Sequence, residues 1–289
     1  MRKIEKALIF ANPRKPEVVA LIGELARTLE SCGVFVLFES RTADCVSGDG
    51  VSWDNLPQGI DMVISLGGDG TMLASARNVG ARAIPVLGIN LGRLGFLNEL
   101  DPSEIAAAVP EIVAGKYAIV KRMMLDVLPP GEPKHHTALN EMVLDRGNSP
   151  RIIFHKIFVS GEFVAGVSAD GLIVSSPTGS TAYNMAAGGG ILSPDMEAFQ
   201  VTALSPYTLS IRPLVVDASE TVEIEYSTDG DEPPRLTLDG QSTRDIPPEG
   251  RIEIRKAPFS AHFVHYHNRT FYEVLRDKLG WASRPRRSS

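Results

Sequence analysis

The 289-residue chain has little cysteine and no long apolar run, and each scarcity closes off a class of protein. Its two cysteines, Cys32 and Cys45, lack CxxC spacing and cannot form a disulfide framework, which fits a reducing compartment. No apolar run reaches the roughly 18 residues that a membrane-spanning helix needs. The opening MRKIEKALIFANP has too short an apolar core, leading into Asn-Pro, for a secretory signal. A cytoplasmic location with no membrane partner is therefore expected. Positive charge is also in deficit. With 29 Lys and Arg against 35 Asp and Glu, the formal charge of −6 gives no support to a nucleic-acid partner. The RPRR stretch at 284–287 is read as a solvated terminus. Two nucleotide-binding fingerprints, GxxxxGK[ST] and GxGxxG, are missing, and no fixed-period repeat occurs.

What is present fits a globular chain: 43% hydrophobic and 22% charged residues, in a length that buries one large core or two smaller ones. KALIFAN, PEVVALIGELARTLESCG and VFVLFES read as strand, helix and strand, with Pro16 where a helix can begin and Gly33 where it can stop. DMVISLGGDG, TMLASARNVG and IPVLGIN repeat the alternation, which implies a parallel sheet with helices on its faces. From about Tyr117 the texture changes to short runs rich in Val, Ile and Thr between Gly, Pro and Asp turns. The expected organisation is an α/β domain over 1–116, a β-rich domain over 117–266, and a C-terminal segment over 267–289. In that segment Phe271, Val274, Leu275 and Lys278 to Leu279 fall near one helical face, so it is expected to pack back on the first domain.

Ligands of open α/β sheets sit beyond the carboxyl ends of the strands, and MVISL delivers GGDGT to such an edge. Gly67, Gly68 and Gly70 permit positive φ and leave N–H groups exposed, the ingredients of an anion nest, with Thr71 completing a phosphate loop. Asp69 sits in the middle of it. A carboxylate beside phosphates repels them unless it faces a cation or an attacking hydroxyl; the plainer alternative is that Asp69 caps the next helix. SSPTGSTAYNMAAGGG, residues 175–190, adds three hydroxyls (Thr178, Ser180, Thr181) and a tyrosine ring, Tyr183, suited to holding a ribose and stacking on a base. Asn140-Glu141 interrupts an apolar run, which directs a polar side chain to a ligand or partner. In HFVHYH at 262–267, His265 and His267 share a strand face without a nearby carboxylate or cysteine in sequence, so they are read as solvent-facing; His135-His136 reads the same way.

GGDGT at 67–71, GINLGRLGFL at 88–97, Asn140-Glu141 and ADGLIVSSPTGSTAYNMAAGG at 169–189, in this order and spacing, resemble bacterial NAD kinases over nearly the whole chain. GGDGT alone also resembles lipid kinases and phosphofructokinases; the PTGSTAY segment after an Asp-Gly is far more specific. The resemblance implies transfer of the γ-phosphoryl of ATP, or of polyphosphate, to the 2′-hydroxyl of the adenosine ribose of NAD. It also implies a divalent cation (Mg²⁺ or Mn²⁺), with no direct protein ligand assigned to it, and a homo-oligomer, commonly a tetramer. By the same resemblance Asp69 faces the ribose 2′-hydroxyl with Gly70 behind it, while Asn140, Glu141 and Asp170 bind NAD. Thr181, Ala182 and Tyr183 surround the adenosine, and Arg151, Ser168 and Gln241 are further NAD contacts. Many members read AYSLSAGGP where this chain has AYNMAAGGG, so Ala186 replaces a serine able to contact nucleotide, and SSPTG stands for the more usual STPTG. Two rival readings are a related kinase acting on a lipid or sugar phosphate, and a dinucleotide-binding sensor without turnover. No amphipathic membrane helix supports the first, and a sensor has no use for Asp69.

Overall fold

A computed structural model describes residues 3–12, 16–46, 48–92, 95–230, 232–267 and 269–281. The RPRR stretch and the Arg93-Leu94 pair of GINLGRLGFL lie outside the described residues. The chain divides into two compact units. The first takes the residues up to Ser75, Ile84–Val120 and those from Phe263 onward; the second takes Ala76–Ala83 and Lys121–His262.

The first unit is built from β1 (Lys6–Ala11), α1 (Pro16–Ser31), β2 (Phe35–Glu39), α2 (Ser40–Val46), β3 (Gly50–Val51), β4 (Met62–Leu66), α3 (Asp69–Val79), β5 (Val86–Ile89) and α4 (Ile105–Val113). The last turn of α3 falls in the second unit. The strands run parallel in the order β5-β4-β1-β2-β3. Helix α1 buries Val18, Leu21, Ile22, Leu25 and Leu29, one stripe at three- and four-residue spacing, and it ends at Gly33 with φ +79°. Strands β4 and β5 are buried at every residue, as expected of strands covered on both faces. They are therefore rigid platforms for the loops that leave their carboxyl ends.

The second unit contains β6 (Ala118–Leu128, from Lys121), β7 (His136–Ala138), β8 (Glu141–Asp145), β9 (Ile153–Val159), β10 (Glu162–Ala169), β11 (Gly171–Ser175), α5 (Tyr183–Ala186), β12 (Ala198–Leu204), β13 (Leu214–Asp217), β14 (Val222–Ser227), β15 (Arg235–Leu238), β16 (Ser242–Asp245) and β17 (Glu249–His265, to His262). One antiparallel sheet is ordered β13-β12-β11-β8-β15-β16. Within the other, β10-β9-β14-β17 are antiparallel, and β6 pairs with β17 and β7. Leu172, Val174, Leu236 and Leu238 of the first sheet share a core with Val167, Ile224, Ile252 and Ile254 of the second. The continuous buried stretch of β11 delivers the 175–181 turn as β4 delivers GGDGT.

The chain then returns to the first unit. Phe263 of β17 pairs in parallel with Val86 of β5, and α6 (Phe271–Leu279) follows, opened by a Thr270/Glu273 capping box and closed by Gly280 at φ +66°. Of its expected apolar face Leu275 is buried; the Phe271 ring lies 6.5 Å from that of Phe96, and Lys278 Nζ lies 5.1 Å from the Phe96 ring centroid. No helix of the described residues is long and apolar enough to cross a membrane.

Candidate active site

In the first unit, β4 runs directly into α3 through Gly67 and Gly68. None of Gly67, Gly68 and Gly70 adopts positive φ, so the loop is not the left-handed nest expected from its glycines. The reason is that the chain enters right-handed helix at once, with Thr71 N and Met72 N both donating to Gly68 O at 2.9 and 3.3 Å. Gly67 is required by packing instead: a Cβ there would lie 2.1 Å from Thr71 Oγ1.

Asp69 opens α3, yet its carboxylate turns away from its own helix. Phe96 N donates to Oδ2 at 2.9 Å, while Leu97 N and Asn98 Nδ2 donate to Oδ1 at 3.3 and 3.0 Å. Those three donors belong to the end of the GINLGRLGFL motif and the residue after it. Gly95 makes the approach possible, since a Cβ there would lie 1.7 Å from Asp69 Oδ1. Helix capping therefore does not account for Asp69. A carboxylate so held is pre-oriented rather than free to swing, which suits a group that must align a hydroxyl.

In the second unit, Asn140 and Glu141 are held against the turn that follows β11. Asn140 O accepts from Ser176 N at 2.8 Å, and a Cβ on Gly179 would meet that same oxygen at 2.1 Å. Behind them stands Asp239, a residue outside every motif named above. It adopts φ +51° in the Asp-Gly turn after β15, and its buried carboxylate accepts from Leu139 N, Asn140 N and Glu141 N at 3.1, 2.7 and 3.4 Å. Arg77 of α3 completes the set, donating to Asp239 Oδ2 at 2.7 Å and to Gln241 Oε1 at 2.6 Å. The Asp-Gly pair in PRLTLDG is the only sequence signal for Asp239; nothing in sequence points to Arg77. Glu141 is buried with Oε2 unpartnered, and burial, reinforced by the Asp239 charge, pushes its carboxyl up to about 8. At neutral pH it is mostly a neutral acid, able to donate as well as accept.

The hydroxyls of the turn divide in role. Ser180, expected among ligand-holding hydroxyls, is fully buried and committed to the loop: Oγ donates to Pro177 O at 2.6 Å and accepts from Leu192 N at 3.0 Å. Partly buried Thr181 donates to Thr178 O at 3.3 Å. Ala182 is partly buried, Tyr183 is 49% exposed at the start of α5, and Ala186 is exposed at its end. Asn184, between them, is fully buried and donates to Gln200 Oε1.

The structure thus joins Asn140, Glu141, the 175–181 turn and, through Arg77, Gln241. Asp170 lies at Arg146, whose Nε donates to it at 2.9 Å. Ser168 is in β10, where its carbonyl accepts from Tyr207 N at 2.9 Å, and Arg151 is exposed, with its backbone N donating to Ser149 Oγ at 3.1 Å. Neither of these bonds ties Arg151 or Ser168 to the Asn140 cluster.

The histidine-rich segment departs from expectation. His265 and His267 are only partly exposed and do meet carboxylates, His265 Nδ1 at 3.3 Å from Glu99 Oε2 and His267 Nε2 at 3.0 Å from Glu104 Oε1. Glu99 and Glu104 come from far earlier in the chain, so local sequence could not reveal them. His135 and His136 also meet carboxylates, Asp126 at 2.9 Å and Glu132, only four residues before His136, at 2.7 Å. Among the described residues no group of three or more His, Cys, Asp and Glu side chains is placed to hold a metal ion.

Residues 52–117 match the family model for the ATP-NAD kinase N-terminal domain, and residues 139–266 match that for the ATP-NAD kinase C-terminal domain. A NAD kinase of Marinobacter nauticus is 38% identical over 92% of this chain and 93% of its own length. One of Carboxydothermus hydrogenoformans is 44% identical over 80% and 83%. Among solved structures, a yeast NADH kinase complexed with NADH superposes with a TM-score of 0.85 at 26% identity, covering 100% of this chain and 91% of that one.

Proposed function

The chain belongs to the ATP-NAD kinase family, and from that premise we infer that it phosphorylates the 2′-hydroxyl of the adenosine ribose of NAD with ATP, giving NADP. The observation that carries the reaction to named atoms is the Asp69 carboxylate, fixed by three donors at the mouth of the parallel sheet.

Phosphoryl transfer passes through a loose transition state, so the protein mainly positions groups and stabilises charge. Asp69 aligns the 2′-hydroxyl; as the new O–P bond forms and the bond to the ADP oxygen breaks, the hydroxyl proton passes to the carboxylate. Carboxylate is a weak base toward a sugar hydroxyl, so alignment precedes proton transfer. Gly67, Gly68, Gly70 and Thr71 supply the phosphate-facing loop. Asn140 and Glu141 hold NAD, the neutral Glu141 acid offering either a donor or an acceptor. Tyr183 offers its exposed ring to the adenine, with Thr181, Ala182 and Ala186 around it. Arg151, Ser168, Asp170 and Gln241 are assigned as outer NAD contacts.

Mg²⁺ or Mn²⁺ enters with the triphosphate as part of the substrate, in keeping with an Asp69 carboxylate of which three acceptor positions are already taken by protein donors. When bound it neutralises charge on the transferring phosphoryl group. The enzyme acts in the cytoplasm as a homo-oligomer, with four copies the expected number, and polyphosphate is the alternative donor. A phosphoryl-transfer assay that identifies the phosphorylated product tests the function, run with ATP or polyphosphate as donor and with NAD, NADH, a lipid and a sugar phosphate as acceptors. NADP from NAD, or NADPH from NADH, is the expected product; a preference for the lipid or sugar phosphate, or binding of NAD without turnover, overturns it.

A further inference from the structure

Asn98 lies outside every motif that assigned a role to a residue. Its side chain is buried and its two polar atoms are treated very differently: Nδ2 donates to Asp69 Oδ1 at 3.0 Å, while Oδ1 has no partner. An asparagine that leaves a buried oxygen unpaired is a poor choice for packing alone, since an apolar side chain of similar size would avoid that loss. Its one bond explains its presence.

The backbone around Asn98 is firmly tied. Glu99 N and Leu100 N both donate to Gly88 O of β5, at 3.0 and 3.1 Å, and Asn90 N donates to Leu100 O at 2.8 Å. Glu99 Oε1 accepts from Tyr266 N at 2.7 Å and from His267 N, which fastens the segment to the returning chain. Gly88 is shaped to the amide, because a Cβ there would lie 2.8 Å from Asn98 Oδ1. A carboxylate has about four acceptor positions. Two donors on Oδ1 and one on Oδ2 occupy three of them, leaving Oδ2 to accept one more.

We propose that Asn98 is a positioning residue for phosphoryl transfer, setting the Asp69 carboxylate so that Oδ2 is the oxygen presented to the acceptor hydroxyl. The proposal rests on the role given to Asp69 above. Asn98 itself touches neither substrate nor phosphate; it acts through Asp69.

The decisive variant is Asn98→Asp, which replaces the amide donor with a second carboxylate about 3 Å from the first. Two carboxyl groups that close share a proton, and the pair titrates as a unit. The acid limb of the kcat–pH profile is then expected to move up by about a pH unit or more, with kcat on that limb down roughly tenfold for each pH unit that it moves and recovering as pH rises. KM for NAD stays within about threefold. The other charged neighbours, Glu99 with His265 and Lys278 over Phe96, are the same in both proteins, so the difference between the two profiles isolates position 98.

A folded Asn98→Asp protein, checked by circular dichroism, whose profile overlays the unmodified one overturns the proposal. If that variant does not fold, Asn98→Ala and Asn98→Ser decide. Alanine lowers kcat about tenfold, and serine, whose hydroxyl can donate, recovers part of it; equal kcat for the two overturns the role. Asp69→Asn measured alongside separates the failures. Retained activity there removes the Asp69 reading itself, whereas an inactive Asp69→Asn beside an unaffected Asn98→Asp removes only the role of Asn98.

Discussion

Replacing Glu141 by Gln is expected to make the protein relatively more stable as pH rises. Glu141 is buried and its carboxyl is pushed from 4.5 up to about 8 by burial and the Asp239 charge. In the unfolded chain it ionises near its ordinary value, so between about pH 4.5 and 8 the folded state holds a proton that the unfolded state has released. Stability from this group therefore falls as pH rises through that window. At about 1.4 kcal/mol per pH unit, the cost is roughly 3 kcal/mol at pH 7 and approaches about 5 kcal/mol above pH 8. Glutamine is nearly isosteric and uncharged in both states, so it lacks the slope, whatever constant offset its amide introduces. Urea denaturation of both proteins at pH 5 and pH 8.5, followed by far-ultraviolet circular dichroism, reads the difference. The gap in unfolding free energy between Gln and Glu should shift by about 4 kcal/mol in favour of Gln. Parallel pH dependences would show that Glu141 is not held protonated and would refute the reasoning.

Buried His155 gives the opposite sign. It has no exposed surface, Nδ1 lies 3.1 Å from Val167 O, Nε2 has no partner, and burial lowers its ring to about 4. Its stabilising effect is complete above pH 6.5 and is lost as pH falls toward 4, by roughly 3 kcal/mol; His155→Phe should flatten this acid limb in denaturation curves, and an unchanged limb would contradict it. Tyr183→Ala should raise KM for NAD about ten- to hundredfold through lost stacking, worth on the order of 1–3 kcal/mol, with kcat nearly kept; a collapsed kcat at normal KM would place Tyr183 in the catalytic framework instead. Gly95→Ala, whose Cβ would sit 1.7 Å from Asp69 Oδ1, should lower kcat by at least about a hundredfold with a modest fall in melting temperature. Normal turnover in that variant would mean the Asp69 geometry is not needed.

Much of this was legible in sequence because the signals were local. The stripe at Val18, Leu21, Ile22, Leu25 and Leu29 reports helix α1, and the β-branched runs from Tyr117 report the antiparallel sheets. Local signals fail where a segment is short or covered on all sides. Ser40–Val46 is a seven-residue helix, Ile105–Val113 carries Pro110 inside it, and in Ala198–Leu204 the buried Gln200 and Thr202 break up an apolar run that periodicity would recognise. The site divides along the same line. GGDGT and PTGSTAY announce themselves, but the partners that orient them do not. Asn98 lies 29 residues from Asp69, Arg77 lies 162 from Asp239, and Asp239 lies 99 from Asn140, so only folding brings each pair together. Ser180 errs in the other direction: a hydroxyl in a ligand-binding motif can equally serve the loop's own backbone, and the residue type does not say which.

The central claim is that Asp69 acts in the transition state, and Asp69→Asn tests it most directly. The amide is nearly isosteric and keeps an oxygen that can accept a hydrogen bond, but it carries no charge and takes no proton. NADP formation is measured with saturating ATP and Mg²⁺, and NAD affinity by calorimetry on the same preparation. A fall in kcat of about 10²–10⁴-fold, with NAD affinity within a few-fold of the unmodified protein, is the predicted result. Near-normal turnover would contradict the mechanism, and lost NAD affinity with normal turnover of bound substrate would make Asp69 a binding residue.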